Sequence, residues 1–597
     1  MKFILNYLKK YKWWVAFVLT VKLMGTICEL MIPYILEYMI DDIVPTGDFS
    51  RLMLWGAIMA AAALVTRTLN VMANRRSVKT ARDCTYEIRR DLFWKSINLS
   101  GDQMDEIGLP SLTSRMTSDT YNLQSFIQSA QSLGTRAPIM LIGGIAVTMT
   151  MDTGLAMILL VIMPLLLVLV VGVSMKGVPL YDKVQQSLDD IVRIMRENIS
   201  GIRVVKALSK EDYEKERFDR ANAAMAKKDI FAGVVMGLPG PMISLFLNVG
   251  LVAVVIIGAK RVNAGITEPG VILAFLTYFS MIVMGVMGLN RIFMLFSKAN
   301  ASARRIETVI STEDPLLPLP EDKLAHTDRE GYIVFDDVSF SYTANTYGDS
   351  DDVTDNKTGT KEPHMLGADR KLAVEHIDFA IKKGGTLGII GPTGCGKSTI
   401  ANLLMRFYDT TEGHVFVDGL DVRGYDKDRL HRMFGVVFQN DVVFADTLRN
   451  NIIFGRDVTE ENMRAAAEHA HATEFIRDYE DEFDHPSVIH GANFSGGQKQ
   501  RIIIARALAA DPDILILDDS SSALDYKTDA ALRNAIRTHH SGTTMIVVAQ
   551  RISSIMSMDE ILVMDDGRII GKGTHDELMD SCSMYRDIYR TQMGGEQ

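Results

Sequence analysis

The chain has 597 residues, 47% hydrophobic and 23% charged, with a formal net charge of −11. That length exceeds a single core, and composition divides it near residue 310, where long charge-free runs give way to a mixed, charged half. The negative balance argues against nucleic acid as a partner. Four scattered cysteines (Cys28, Cys84, Cys395, Cys582), with no CxxC pair, support neither a disulfide framework nor a zinc site.

In the first half, Lys9, Lys10 and Lys12 precede an apolar stretch from about Trp13 to Ile40. It is longer than a signal-peptide core and lacks a small-residue cleavage site, so it reads as a retained membrane helix. A spanning helix needs roughly 20 largely apolar residues, and six candidates follow: about 13–40, 52–76, 136–151, 155–177, 236–261 and 269–296. Together they define an α-helical transmembrane domain over 1–310. Basic residues (Arg75, Arg76, Lys79, Arg82, Arg89, Arg90, and many from Arg193 to Lys228) fall after the second and fourth spans. The loops Asp41–Phe49 and Asp152–Gly154 are acidic or bare, so both termini are expected in the cytosol. The polar segments after spans two and four are rich in helix formers (Arg82–Ile97, Tyr181–Ile199, Lys210–Lys228). They predict membrane helices that continue as cytosolic rods, with turns near Ser114–Asn122 and Gly201–Lys210.

Lys22 and Glu29 lie seven apart on one face of the first span. Charges inside a bilayer are costly and face a cavity or each other, so the two are read either as a packing pair or as part of a substrate pathway. Asn290 and Arg291 on the sixth span are further cavity candidates. That span also carries Met281, Met284, Met287 and Met294 beside Phe275, Phe279, Phe293 and Phe296. Methionine surfaces adapt to varied greasy ligands, although plain core packing is the default. Pro239 and Pro241 predict a kink at the start of the fifth span.

Proline density at Glu313–Pro320 marks a linker over 311–330. The strand-like run Gly331–Tyr342 then opens a soluble domain over 331–597. A segment within it, 343–370, is rich in Asp, Asn, Thr and Gly and too polar to fold alone, so it is expected to be a disordered insertion.

Gly391-Pro-Thr393-Gly394-Cys395-Gly396-Lys397-Ser398-Thr399 fits the phosphate-loop pattern between an apolar strand (Thr386–Ile390) and a helical stretch (Ile400–Phe407). Backbone N–H groups would close around phosphates, Lys397 would reach the β/γ oxygens, and Ser398 would take Mg²⁺. Cys395 inside the loop is either alkylatable or an inert filler. About 120 residues on, four apolar positions lead into Asp518 and Asp519. This reads as the buried strand of an ATPase, with Asp518 on the magnesium side.

Phe494-Ser495-Gly496-Gly497-Gln498, followed by Lys-Gln-Arg501, resembles the signature motif of ATP-binding cassette (ABC) transporters. Gln439 resembles their Q-loop glutamine, a nucleotide and metal contact. Ser522-Ala-Leu-Asp525 resembles the D-loop, Tyr342 the adenine-stacking aromatic, and Asp565–His575 the last hairpin. Six helices before one such α/β P-loop ATPase domain resemble a half-size exporter of the multidrug type. The resemblance implies ATP and Mg²⁺ as cofactors and a head-to-tail pair of ATPase domains. Each site would join one chain's phosphate loop to the other's signature, with closure moving the rods. It also implies a plasma membrane, of prokaryotic kind given the half-size architecture and the absence of organelle targeting.

Two residues depart from that family. Asp519 stands where the catalytic glutamate is expected, and Gln550 in Val548-Ala-Gln550-Arg551 where the switch histidine is expected. The shorter acid sets its oxygens back by about an ångström, which can cost around a hundredfold in rate. Glutamine hydrogen-bonds but carries no proton or charge. A third departure, His485-Pro-Ser-Val-Ile-His490-Gly491, lacks the acids usual before the signature, so its contacts with the rods are in doubt. The weakened residues build one site, while the intact signature and D-loop serve the opposite one. The sequence therefore predicts a heterodimer whose partner supplies glutamate and histidine and which exports small hydrophobic or amphipathic compounds. Alternatives are a lipid or peptide exporter, a homodimer, and an ATP-gated regulatory membrane protein.

Overall fold

The computed structural model describes residues 1–313, 316–342, 372–520 and 524–594, so the insertion expected over 343–370 lies outside the described residues. The chain divides into two compact units. One comprises Met1–Ile97 with Pro110–Thr312, and the other Asn98–Leu109 with Glu313–Gln597.

The first unit is built from long helices at Lys12–Tyr38, Phe49–Ile97, Thr120–Met151, Thr153–Ser200, Glu211–Gly237, Pro239–Asn263 and Pro269–Ser311. At about 1.5 Å per residue the 49-residue helix Phe49–Ile97 runs for about 73 Å. A hydrocarbon core is about 30 Å thick, so such a helix continues well past it, as the rods require. Among the described residues, five helical stretches are long and apolar enough to cross a membrane. The fourth of the six expected spans (155–177) is not matched at that length; its helix contributes a shorter apolar stretch, Thr153–Leu166.

Local chemistry sets the breaks. Asp152 alone separates two helices: its carboxylate accepts from the Leu155 N–H at 3.0 Å and from Arg261 Nε at 2.9 Å. That cap explains how the chain reverses with no loop. Leu238 separates Glu211–Gly237 from the helix beginning at Pro239, where a kink was expected. The second reversal also falls where expected, around the short helix Ile202–Ala207. The first does not. Residues Ser114–Asn122 are helical, through a π-turn at Arg115–Asp119. The break lies instead at Asn98–Leu109, around the helix Gly101–Ile107.

The aromatic stripe of the last membrane helix is divided. Phe275 and Phe279 are fully buried beside Tyr278, whose hydroxyl donates to the Leu30 carbonyl at 2.6 Å, whereas Met284, Met287 and Phe293 are exposed. Packing therefore accounts fully for the Phe275–Phe279 end of the stripe and in part for the other end, where Phe296 meets Phe126 edge-on at 5.8 Å.

The second unit contains β1 (Ile333–Phe340), β2 (Val374–Ile381), β3 (Thr386–Ile390), β4 (Glu412–Val417), β5 (Leu420–Asp421), β6 (Phe434–Val437), β7 (Ile514–Asp518), β8 (Thr544–Val548), β9 (Glu560–Asp565) and β10 (Arg568–Gly573). The order β10-β9-β3-β8-β7-β6 forms a sheet that is parallel from β9 to β6, and β2-β1-β4-β5 forms a smaller antiparallel sheet. β7 and β8 are buried along their whole length, which is why they read as unbroken apolar runs. Helix-to-strand crossovers of this kind place loops at the carboxyl ends of the strands, the usual ligand edge.

The helix Gly101–Ile107 belongs to this unit. Ser100 and Gln103 close a reciprocal cap at its start, the Gly101 N–H donates to the Phe407 carbonyl at 3.1 Å, and the Tyr408 hydroxyl donates to Asp105 at 2.8 Å. A Cβ on Gly101 would meet Tyr408 Cζ at 2.5 Å. Gly101→Val should therefore undock this helix, and trypsin should cleave after Lys95 faster than in the unaltered protein. Unchanged cleavage would show that the contact is dispensable.

Candidate nucleotide site

The phosphate loop leaves β3 and closes on the helix Lys397–Leu404, whose N-cap is Gly396. Gly396 has φ +96°, and a Cβ there would lie 2.5 Å from the Ala373 carbonyl, so the loop cannot take this path with a larger residue. A cavity of about 350 Å³ opens above it, bounded by Lys397, Ser398, Gln439, Asp518, Asp519 and Gln550. Tyr342, Thr393, Gly394, Gly396 and Thr399 also line it. The Tyr342 hydroxyl lies 3.1 Å from Thr399 Oγ1, which ties the expected base-stacking ring to the loop. Asn402, not anticipated from the sequence, donates to the same hydroxyl.

The Lys397 ammonium donates to the Gly391 and Pro392 carbonyls at 3.0 and 2.7 Å. The same donors would be free to turn to phosphate oxygens if a nucleotide entered. Ser398 hydrogen-bonds Asp518 at the end of β7. A hydroxyl and a carboxylate held together, with the Gln439 amide on the same cavity, form the all-oxygen donor set that suits Mg²⁺. Bound there, the cation would screen the phosphate charge. Burial pushes both the Asp518 and the Asp519 carboxyl above the ordinary aspartate range, and Lys397 opposes this at both.

Cys395 is buried, and that burial pushes its thiol up despite the nearby Lys397. A thiol so shifted holds less thiolate at neutral pH. Cys395 should therefore react with N-ethylmaleimide more slowly than a free thiol at pH 7, and peptide mass analysis would show it. Rapid labelling would return it to the reactive reading.

The two departures share one hydrogen bond. Gln550 Nε2 donates to Asp519 Oδ2 at 2.8 Å, and Gln439 Nε2 reaches the same oxygen at 3.5 Å. Asp519 has φ +51° and is pinned by its N–H to the Val548 carbonyl at 2.9 Å. The acid is thus held between two amides at the cavity wall.

The signature residues stand elsewhere. Ser495 caps the helix Gly496–Leu508: its Oγ accepts from the Gln498 N–H at 3.3 Å, and its own N–H donates to Gln498 Oε1 at 2.8 Å. None of Ser495, Gly496, Gly497 and Gln498 lines the cavity, nor does Asp525, which caps Tyr526–His539 through Thr528. Ser522 and Ala523 of the D-loop pattern lie outside the described residues. The 485–491 segment is well tied without acids. His485 stacks on Tyr479 at 3.9 Å, Ser487 N–H donates to the Asp446 carbonyl, and Asn493 clasps Pro486 and Val488. Its tip, Val488 and Ile489, is exposed and apolar.

In the first unit Lys22 and Glu29 do not pair with each other. Lys22 donates to Asn70 and Asn74 on the second helix, and Glu29 accepts from Arg136 on the third at 2.6 Å. Asn290 is half-buried and Arg291 exposed. Arg136, Asn70 and Asn74 were not singled out from the sequence. No periodic pattern links residues that are 107 apart.

Residues 15–287 match the family described as ABC transporter transmembrane region, and residues 374–522 match that described as ABC transporter. An uncharacterized ABC transporter ATP-binding protein of Mycobacterium tuberculosis is 32% identical over 591 residues, 98% of this chain and 97% of that protein. The ATP-dependent lipid A-core flippase of Idiomarina loihiensis is 31% identical over 602 residues, 100% of this chain and 98% of its own. A solved bacterial Atm1-family ABC exporter with ATP bound has the same fold, with TM-score 0.78 at 22% identity over 98% of this chain and 99% of that one.

Proposed function

This chain belongs to the ABC transporter family, an exporter half with membrane region and ATPase in one polypeptide, and from that premise we propose that it works as the weaker half of a heterodimer. As an ABC transporter its ATPase is coupled to transport and uses ATP with Mg²⁺. In the proposed assembly its own site holds ATP and hydrolyses it slowly. Its Ser495–Gln498 motif completes the fast site built on the partner's phosphate loop, glutamate and histidine. The complex sits in a prokaryotic plasma membrane with both termini cytosolic and moves hydrophobic or amphipathic, multidrug-type compounds outward.

The observation that carries this reading is the Gln550–Asp519 bond, which joins both departures at the cavity wall while the signature cap stands intact away from it. Purified alone, the chain should bind ATP and release little phosphate; vigorous turnover would favour a homodimer instead. Export of a lipid is the second reading, and the likeness to a lipid A-core flippase favours it.

A further inference from the structure

We propose that Gln592, on the last helix of the chain, is a positioning residue for ATP hydrolysis. It anchors the backbone of the switch segment and so sets Gln550 against Asp519. The inference needs only the ATPase activity and holds whichever of the two ATP sites is the faster. Gln592 Nε2 donates to the Gln550 carbonyl at 2.8 Å, and Gln592 Oε1 accepts from the Ile552 N–H at 2.8 Å. One side-chain amide thus takes both bonds that a neighbouring strand would make with this segment.

The segment lies where the sheet stops supplying partners. β8 ends at Val548, and the Ala549 N–H still donates to the Ile389 carbonyl of β3 at 3.0 Å. Beyond it, the Gln550 carbonyl and the Ile552 N–H find their partner on the C-terminal helix. Arg533 holds the next turn through the Ser553 carbonyl. From this anchored backbone the Gln550 side chain donates to Asp519 Oδ2 at 2.8 Å. Anchor, amide and acid are joined in series, and all three border one cavity of about 580 Å³.

The sequence pattern explains why the helix can serve as an anchor. In Ser583–Met593, Tyr585, Ile588, Tyr589 and Gln592 stand at i, i+3, i+4 and i+7, which is one helical face. Tyr585 is fully buried and its hydroxyl lies 2.8 Å from His575 Nδ1, while Ile588 and Tyr589 pack on the same core. That apolar face seats the helix, and Gln592 at its end reaches the switch segment. Gln592 itself is exposed, so replacing it disturbs little packing. Its loss acts through placement, and a shift of about an ångström can cost around a hundredfold in rate.

The test is single-turnover ATP hydrolysis by the purified full-length chain, with protein in excess so that slow cleavage is resolved, beside equilibrium titration with ATP. Gln592→Met should slow hydrolysis by about tenfold or more while ATP affinity stays within about twofold. Gln550→Ala should also slow it. Adding Gln592→Met to Gln550→Ala should cost nothing further, because no side chain remains at 550 to be placed. A merely structural glutamine would give additive losses in that cycle. An unchanged or raised rate in Gln592→Met, an equal loss of ATP affinity, or a further slowing in the Gln550→Ala background would each overturn the proposal. Turnover of the unaltered chain in the same assay reports the heterodimer reading separately.

Discussion

Gly496→Asp in this chain should lower ATP turnover of the assembled exporter by about a hundredfold, the scale of removing a donor aimed at developing negative charge. Gly496 is the first residue of the helix capped by Ser495 and Gln498, and no signature residue lines this chain's own cavity. A carboxylate there would face the γ-phosphate held by the partner, at a helix N-terminus whose dipole otherwise favours that anion. Asp519→Asn, by contrast, should leave most of the turnover in place, because in the proposed heterodimer it alters the site that contributes little of it. Phosphate release by the two variant complexes measures the difference directly. If Asp519→Asn proved the more damaging, the fast site would lie on this chain.

The second large effect is a gain. Asp519→Glu together with Gln550→His should raise turnover at this chain's own site by tenfold or more, out of the roughly hundredfold that a misplacement of about an ångström can cost. Neither change alone should suffice. The two side chains touch at 2.8 Å, so a longer acid beside Gln550 meets the same amide, and a histidine beside Asp519 meets an acid set back from the water. Residues in such contact combine non-additively. Single-turnover hydrolysis by the unaltered chain, both single variants and the pair would show the coupling. Additive small gains would place the limit in the strained backbone at Asp519, where φ is +51°, and not in the side chains.

Motif spacing made the nucleotide site legible, because phosphate chemistry demands glycine, lysine and hydroxyl at fixed intervals and the structure brings Lys397, Ser398, Gln439 and Asp518 to one cavity. The rods were legible from polar segments that keep helix formers. The first reversal was misplaced because Ser114, Thr117 and Thr120 resemble turn residues. In the structure, the Thr117 and Thr120 hydroxyls bond back to the carbonyls of Thr113 and Met116 and stay helical. The signal for the true break was present in Ser100 and Gln103, spaced as a capping box. Arg136 was missed for a different reason. It stands at the edge of an apolar run, and only tertiary packing shows that it reaches Glu29. Nor could the spacing of Asp519 and Gln550, 31 residues apart, show that they share a hydrogen bond.

The proposed asymmetry of the two ATP sites is tested most directly by what each holds after one cycle. The assembled exporter would be loaded with labelled ATP, trapped with vanadate and denatured, and its nucleotides separated. A clamp on Lys397 and an engine on the partner give equal amounts of ATP and ADP. Only ADP, with both sites spent, would contradict it.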